Sequence, residues 1–384
     1  MTILIVAKSY NQQSARAIQM RRVVDALNTY IDANIILITQ GDNSEDFESN
    51  NFKKININSA FNPKTSRIKQ RFFSGLSNFD QNFIEESVKV IDGIVKSQQV
   101  DVLLTVSTPI ECHNIGLIIK TRNPKIKWIS FFSDLWPSHI VPKPLYRKKM
   151  GSKKDIDFMS QVAEYSDVIV TPSKYTLEVL KENISSIKAK LETINHCGRD
   201  LQHYESKNEL SGYLVHSGFL QKERISEDLI LAIKKFENDP TFKGFIHIGK
   251  YHSNLTKLIK KHNCKKILLI GSVPEELAGS LQEMCHVSMV IEAPMKKRSP
   301  FLPSKITDAL LFSDKVVCIS PEQSALSDMS RKWSGVFAAT YDKDKIYNVI
   351  KTALASDETI PMELLREISP KTIAAKYLKI LQTQ

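Results

Sequence analysis

The chain has 384 residues, 42% hydrophobic and 25% charged, which is longer than one core usually organises and too apolar for a disordered or fibrous protein. Lys and Arg outnumber Asp and Glu by 53 to 42, and the net charge of +11 favours anionic partners such as phosphorylated ligands, acidic headgroups or nucleic acid. Five scattered cysteines exclude a disulfide framework or zinc knuckle, no apolar run approaches the roughly 18 residues of a spanning helix, and the opening stretch lacks a basic leader, so a cytosolic location is expected.

Short β-rich runs alternate with helix-period segments from the start, which predicts βα units on mainly parallel sheets. Ile3 to Ala7 reads as the first strand. Ser14 then caps a helix carrying Ile18, Val23, Val24 and Leu27, and Asn34 to Thr39 is the second strand. Strands at 101–106, 127–132 and 167–171 are separated by helices near 80–97, 109–121, 155–165 and 173–183. A polar break from Cys197 to Gly212 precedes a second series. Its strands are expected at 213–217, 245–249, 266–270, 287–292 and 315–319, with helices near 227–236, 253–262, 274–285 and 304–312 and a last helix at 372–381. The fold class is therefore α/β, with two doubly wound Rossmann-like domains. The domains are expected at 1–200 and 201–360, with 361–384 returning to the first. Such sheets bind ligands at the carboxyl ends of their strands, so two of them facing across a cleft would hold the site there.

The segment Ser299 to Ser320 carries the clearest chemistry. Pro300 and Pro303 stiffen a loop, Ser304 is placed to cap a helix, and Lys305 puts an ammonium beside free backbone N–H groups. A phosphate there would meet donors and charge together, and Asp308, one turn on, can accept from a ribose or sugar hydroxyl. Gly218 ends the first strand of the second series and lets a ligand approach the backbone, and Arg224 beyond it can grip phosphate bidentately. In the first domain, Asp134 follows a strand and His113 lies early in a helix on the same edge, where either can orient an acceptor hydroxyl. Ser9, Asn11, Ser14 and Arg16 occupy the loop after the first strand. His196, His216 and His286 stand apart without metal-ligand spacing, and the stretch from Gly249 reads as a plain strand-to-helix loop. The Asp155 to Asp157 DxD opens a helix instead of closing a strand, so it complements a helix dipole and no metal is expected. Aromatic residues are not interleaved with basic ones, and neither a Walker nor a dinucleotide glycine fingerprint is present, so nucleic acid is not an expected partner.

The ordered series SARAIQMRRVVDAL (14–27), FFSDLWPSHIV (131–141), YSDVIVTPSKYTLEVL (165–180), INHCGRD (194–200), HSGFLQKER (216–224), the run from Val273 to Glu292, and FLPSKITDALLFSDKVVCIS (301–320) resembles the GT-B nucleotide-sugar glycosyltransferases of retaining family 4, in the branch that builds bacterial surface polysaccharides. The resemblance implies that Arg224 and Lys305 hold the donor diphosphate and that Asp308 takes the place of a Glu on the nucleotide ribose. Pro300 stands where many relatives carry a Glu for the donor sugar. The resemblance also implies a metal-independent transferase with no cofactor, moving a sugar from a nucleotide donor to a hydroxyl of a glycan, lipid-linked or phosphate-rich polymer acceptor, with configuration retained. The alternatives are a nucleotide-sugar epimerase of the same fold and a non-catalytic nucleotide-sugar-binding partner of a transferase. Pro142 to Lys154 and Lys64 to Phe73 are basic runs that fit peripheral contact with the anionic inner face of a cell membrane.

Overall fold

The computed structural model describes residues 1–12, 14–41, 46–58, 80–107, 109–136, 153–184, 186–200, 209–295 and 298–383. The basic run Lys64 to Phe73 lies outside them, as does all of Pro142 to Lys154 except its last two lysines. The chain divides into two compact units, one containing Met1–Val141, Lys148–Cys197 and Pro370–Gln384, the other Gly198–Ser369.

The first unit is built on strands β1 (Thr2–Val6), β2 (Asn34–Gln40), β3 (Phe47–Ser49), β4 (Phe52–Ile57), β5 (Val102–Ser107), β6 (Lys127–Phe132), β7 (Val168–Thr171) and β8 (Lys190–Thr193). They lie in the order β3-β4-β2-β1-β5-β6-β7-β8, parallel except for the β3–β4 pair. Ile3 to Val6 are buried on both faces, as a central parallel strand covered by helices on either side requires. On one side the helix Ala15–Tyr30, capped by Ser14 Oγ accepting from Ala17 N at 3.3 Å, buries Met20, Val23, Val24 and Leu27. The helix Pro370–Gln382 adds Ile373, Ala374, Tyr377, Ile380 and Leu381 to that same core.

The second unit holds β9 (Tyr213–Ser217), β10 (Gly244–Ile248), β11 (Ile267–Ile270), β12 (Val287–Ile291), β13 (Lys315–Ile319) and β14 (Val336–Ala339). The sheet is wholly parallel, in the order β11-β10-β9-β12-β13-β14. The order in which successive strands are added to a doubly wound sheet reverses at its topological switch point, here between β9 and β12 in the second unit and between β1 and β5 in the first. The two switch points are closed to different extents. β1 and β5 pair over four positions, Ile3↔Val102 to Val6↔Thr105, whereas β9 and β12 pair only at Val287↔Leu214 and Ser288↔Val215. Beyond Ser288 the second pair of strands parts toward its carboxyl ends.

β3, β4, β8, β14 and the helices Ala325–Lys332, Lys343–Ala355 and Met362–Ile368 go beyond the pattern read from sequence. β3, β8 and β14 lie at sheet edges and β4 is strongly polar, with Lys53 and Lys54 inside it, so none shows a long apolar run. All five cysteines are buried with free thiols. No helix among the described residues is long and apolar enough to cross a membrane.

Candidate functional site

In the second unit, β9 ends at Ser217 and the chain turns at Gly218, whose φ of +115° is in the region that favours glycine. Lys305 fills the space beside it. A Cβ on Gly218 would fall 1.1 Å from the Lys305 Nζ, and that ammonium donates to the Ser217 carbonyl at 2.8 Å, a group at the end of β9 where β12 no longer pairs. Gly249, at φ +117° after β10, supports the same floor, since a Cβ there would meet the Gly218 carbonyl at 2.6 Å. The segment from Gly249 is the strand-to-helix loop its sequence suggests, leading from β10 to the helix Asn254–Lys261, and its first residue packs against the Gly218 backbone.

Arg224 ends a single 3-10 turn, Lys222–Arg224, and is half-buried. Its guanidinium acts electrostatically on Lys305, His216 and Glu292. Desolvation and then Arg224 push the Lys305 ammonium down to about 8, with Asp308 working the other way. Two cations held near each other in a desolvated place, one of them bonded to a carbonyl, are the arrangement a bound anion relieves. His216 and His247, paired in register on β9 and β10, stack beneath with Nδ1 to Nδ1 at 3.1 Å. Burial lowers both, so they are neutral, and one Nδ1 donates to the other.

The helix after this loop starts at Ile306, with Lys305 as the residue before its first turn and no side-chain capping bond. The capping role expected of Ser304 is therefore not realised; its main-chain carbonyl accepts from Thr307 Oγ1 at 2.9 Å instead. Asp308 is half-buried, 3.8 Å from Arg199 Nε. Arg199 also pairs with Glu275 and lies 5.7 Å from the Phe312 ring centroid. The partners of Asp308 thus include a residue far away in sequence.

The sequence reading takes Glu292 only as the end of a strand and of the Val273 to Glu292 run that carries the resemblance, and gives it no role. It follows β12 directly across the switch point from Gly218 and is only 3% exposed. Ser299 Oγ donates to its Oε1 at 2.6 Å, while Oε2 is buried with no hydrogen-bond partner among the described residues. Burial pushes this carboxyl up to about 8, against the opposing effects of the Ser299 hydroxyl and the Arg224 charge.

In the first unit, Arg16 and Asp134 meet at 3.3 Å, 53% and 40% exposed. His113 corrects the expectation of an acid–base role. Its side chain is fully buried, its Nδ1 is 2.8 Å from Thr105 Oγ1, and its ring lies 4.3 Å from that of Phe132. Burial lowers it to about 3, so it is a neutral core residue and out of a ligand's reach. Ser14 is committed to its cap, Asn11 Nδ2 donates to the Gln40 carbonyl and Asn56 Oδ1 at 3.0 Å each, and the Ser9 carbonyl accepts from Gln12 N at 3.0 Å. These three shape the loop.

Sequence spacing conceals the strongest charge cluster of this unit. Lys8, just beyond β1, is buried with Nζ 2.9 Å from Asp80 and 3.2 Å from Glu111. Asp80 caps the helix Gln81–Ser97 through Phe83 N at 3.1 Å, and Glu111 opens the helix Glu111–Arg122. Asp155 of the DxD is in the first turn of the helix Lys153–Tyr165, and among the described residues no group of three His, Cys, Asp or Glu side chains is placed to hold a metal ion.

No protein-family model matches the chain, and no curated protein matches it by sequence. Solved structures do match it. Sucrose-phosphate synthase from Thermosynechococcus elongatus is similar over 99% of this chain and 98% of its own, with a TM-score of 0.71 and 11% identity. Anabaena Alr3699/HepE, solved in complex with UDP and glucose, matches over 100% of both chains with a TM-score of 0.67 and 13% identity. A structure from E. coli, described as trehalose-6-phosphate bound with UDP-2-fluoro glucose, matches over 100% of both chains, with a TM-score of 0.67 and 9% identity. At such identities the likeness is one of fold, and the fold class is the α/β, doubly wound class of the GT-B glycosyltransferases.

Proposed function

We propose that this chain is a nucleotide-sugar glycosyltransferase whose second unit binds the donor diphosphate at the β9/β12 switch point. The observation that carries the reading is the convergence of Lys305, Arg224 and the left-handed Gly218 where the two strands part. Breaking the bond between the anomeric carbon and the phosphate oxygen leaves the electron pair on a nucleoside diphosphate. Preorganised cations stabilise that growing charge more in the transition state than in the substrate. Arg and Lys take the place of a metal ion in this reading. Asp308 faces the nucleotide ribose in this reading, with the Arg199 Nε 3.8 Å from its carboxylate. Structures similar in fold were solved with UDP and glucose and with UDP-2-fluoro glucose, which supports a nucleotide-sugar donor.

The acceptor is a hydroxyl of a glycan or lipid-linked intermediate of surface polysaccharide synthesis, with configuration retained. Arg16, at the start of the helix Ala15–Tyr30, and Asp134, just beyond β6, are its first candidates for contact in the first unit, being paired and partly exposed. The basic runs Lys64 to Phe73 and Pro142 to Lys154 would hold the protein at an anionic membrane surface. Flotation with anionic vesicles at low salt, lost with neutral vesicles, checks that contact. The central experiment is incubation with a panel of nucleotide sugars, following nucleoside diphosphate release and thermal stabilisation. Release with at least one donor is expected; neither release nor stabilisation with any of them would sink the reading. Stabilisation without release, with any acceptor, would favour a non-catalytic binding partner.

A further inference from the structure

Glu292 is a buried acid at the very place where an anion is to bind. It sits where β12 ends, on the far side of the opened ladder from Gly218, and one carboxyl oxygen is sealed from solvent with no hydrogen-bond partner among the described residues. A carboxylate in that position would carry a full charge with one oxygen unsatisfied, which is costly; a neutral acid costs far less. Its surroundings offer limited help to the charged form. Ser299 supplies one hydroxyl, Arg224 acts from the turn after β9, Cys318 on β13 is an un-ionised thiol pushed up by burial and by Glu292, and the Tyr341 hydroxyl donates to the Glu292 main-chain carbonyl at 2.7 Å. Beyond Arg224 lie Lys305, Asp308 and the neutral His216.

We propose that Glu292 is a positioning residue for the donor, and that nucleoside diphosphate binding in the second unit is coupled to its protonation. The inference rests on the donor-site reading above. As a neutral acid, Glu292 adds no negative charge against a diphosphate held by Arg224 and Lys305. As a carboxylate it repels that diphosphate and draws on the same guanidinium. The diphosphate in turn neutralises Arg224, the cation that among the described residues favours ionisation of Glu292. Ligand and proton therefore bind with mutual assistance. The balance is one proton taken from solvent onto the carboxyl; no covalent bond to the ligand forms.

Affinities for UDP, ADP and GDP measured by calorimetry at pH 7, 8 and 9, in buffers of different ionisation heat, test the coupling. Wild-type protein is expected to take up more of a proton near pH 8 than E292Q, whose remaining uptake is that of Lys305. With the carboxyl titrating at about 8, wild-type protein should lose about tenfold more affinity than E292Q between pH 7 and 9. Lys305 titrates in the same window in both proteins, so its contribution cancels in the comparison. Ser299→Ala provides an independent variant. It removes a bond that favours the carboxylate and should shift the loss of affinity to higher pH. Binding with the same pH profile and proton uptake in wild type, E292Q and Ser299→Ala would overturn this role for Glu292 while leaving the donor site standing. Absence of binding by every nucleoside diphosphate at every pH would overturn both.

Discussion

The β1/β5 and β9/β12 switch points occupy equivalent places in two sheets of the same winding, yet they use charge in opposite ways. At the first, Lys8 is buried between Asp80 and Glu111, and the two carboxylates stand at the starts of two helices, where the dipoles offset the surplus negative charge. Every charge there has a partner of opposite sign. At the second, Lys305 bonds to a main-chain carbonyl, Arg224 lies within electrostatic reach, and the nearest buried acid keeps one oxygen unsatisfied. The strand ladder is closed over four positions at the first and over two at the second. The first switch point closes its buried charges on one another; the second gathers Lys305 and Arg224 beside a ladder paired over two positions, the setting proposed above for a diphosphate.

The largest effect that can test this contrast comes from the joint. Lys8→Met leaves Asp80 and Glu111 buried without their ammonium, and urea unfolding should show a loss of about 3–5 kcal/mol. Lys305→Met should cost less than about 1 kcal/mol in the same assay, and equal losses would erase the distinction between the two sites. Lys305→Ala and Arg224→Ala should each lower turnover by about 10²-fold with the fold retained by circular dichroism. Normal turnover in both would move the anion elsewhere. Acid acts on a smaller scale. His113 and His216 are neutral when folded and are lowered from their ordinary values, so the unfolded chain protonates first, and stability is lost as pH falls below about 6.5. The slope should be about 1.4 kcal/mol per pH unit for each histidine, and His113→Gln should reduce it. The smallest expected change is none: excess EDTA should leave activity unaltered, and rescue by manganese or magnesium after its loss would place a metal in the donor site.

Much of the fold was legible because β1, β2, β5 and β6 are apolar runs buried on both faces, and the helices between them repeat at helical spacing. Short edge strands such as β8 and β14 lack such runs. Gly218, Lys305 and Asp308 stand out in the sequence as candidates because each lies just after a strand or about the first turn of a helix, where ligands meet doubly wound sheets, and Arg224 because it lies in the loop between β9 and the next helix. His113 misled for the same reason: it is near the right edge in sequence, but its side chain points into the core toward Thr105. The Lys8 cluster was hidden by distance, its partners being 72 and 103 residues away. Glu292 was visible only as a strand's last letter. Its distinguishing property is a missing partner, and an absence of contact has no signature in a linear pattern.

The helix Pro370–Gln382 also sets an order of assembly during synthesis. Tyr377, Ile373 and Leu381 complete the layer that covers Val23 and Leu27, so one side of the first unit's core waits for a segment translated after the whole second unit. The contiguous stretch Gly198–Ser369 carries its own sheet and core and can fold as it leaves the ribosome. The nascent first unit meanwhile exposes an apolar face. A chain stopped near Ser369 should therefore retain a folded second unit and depend on chaperones for the first.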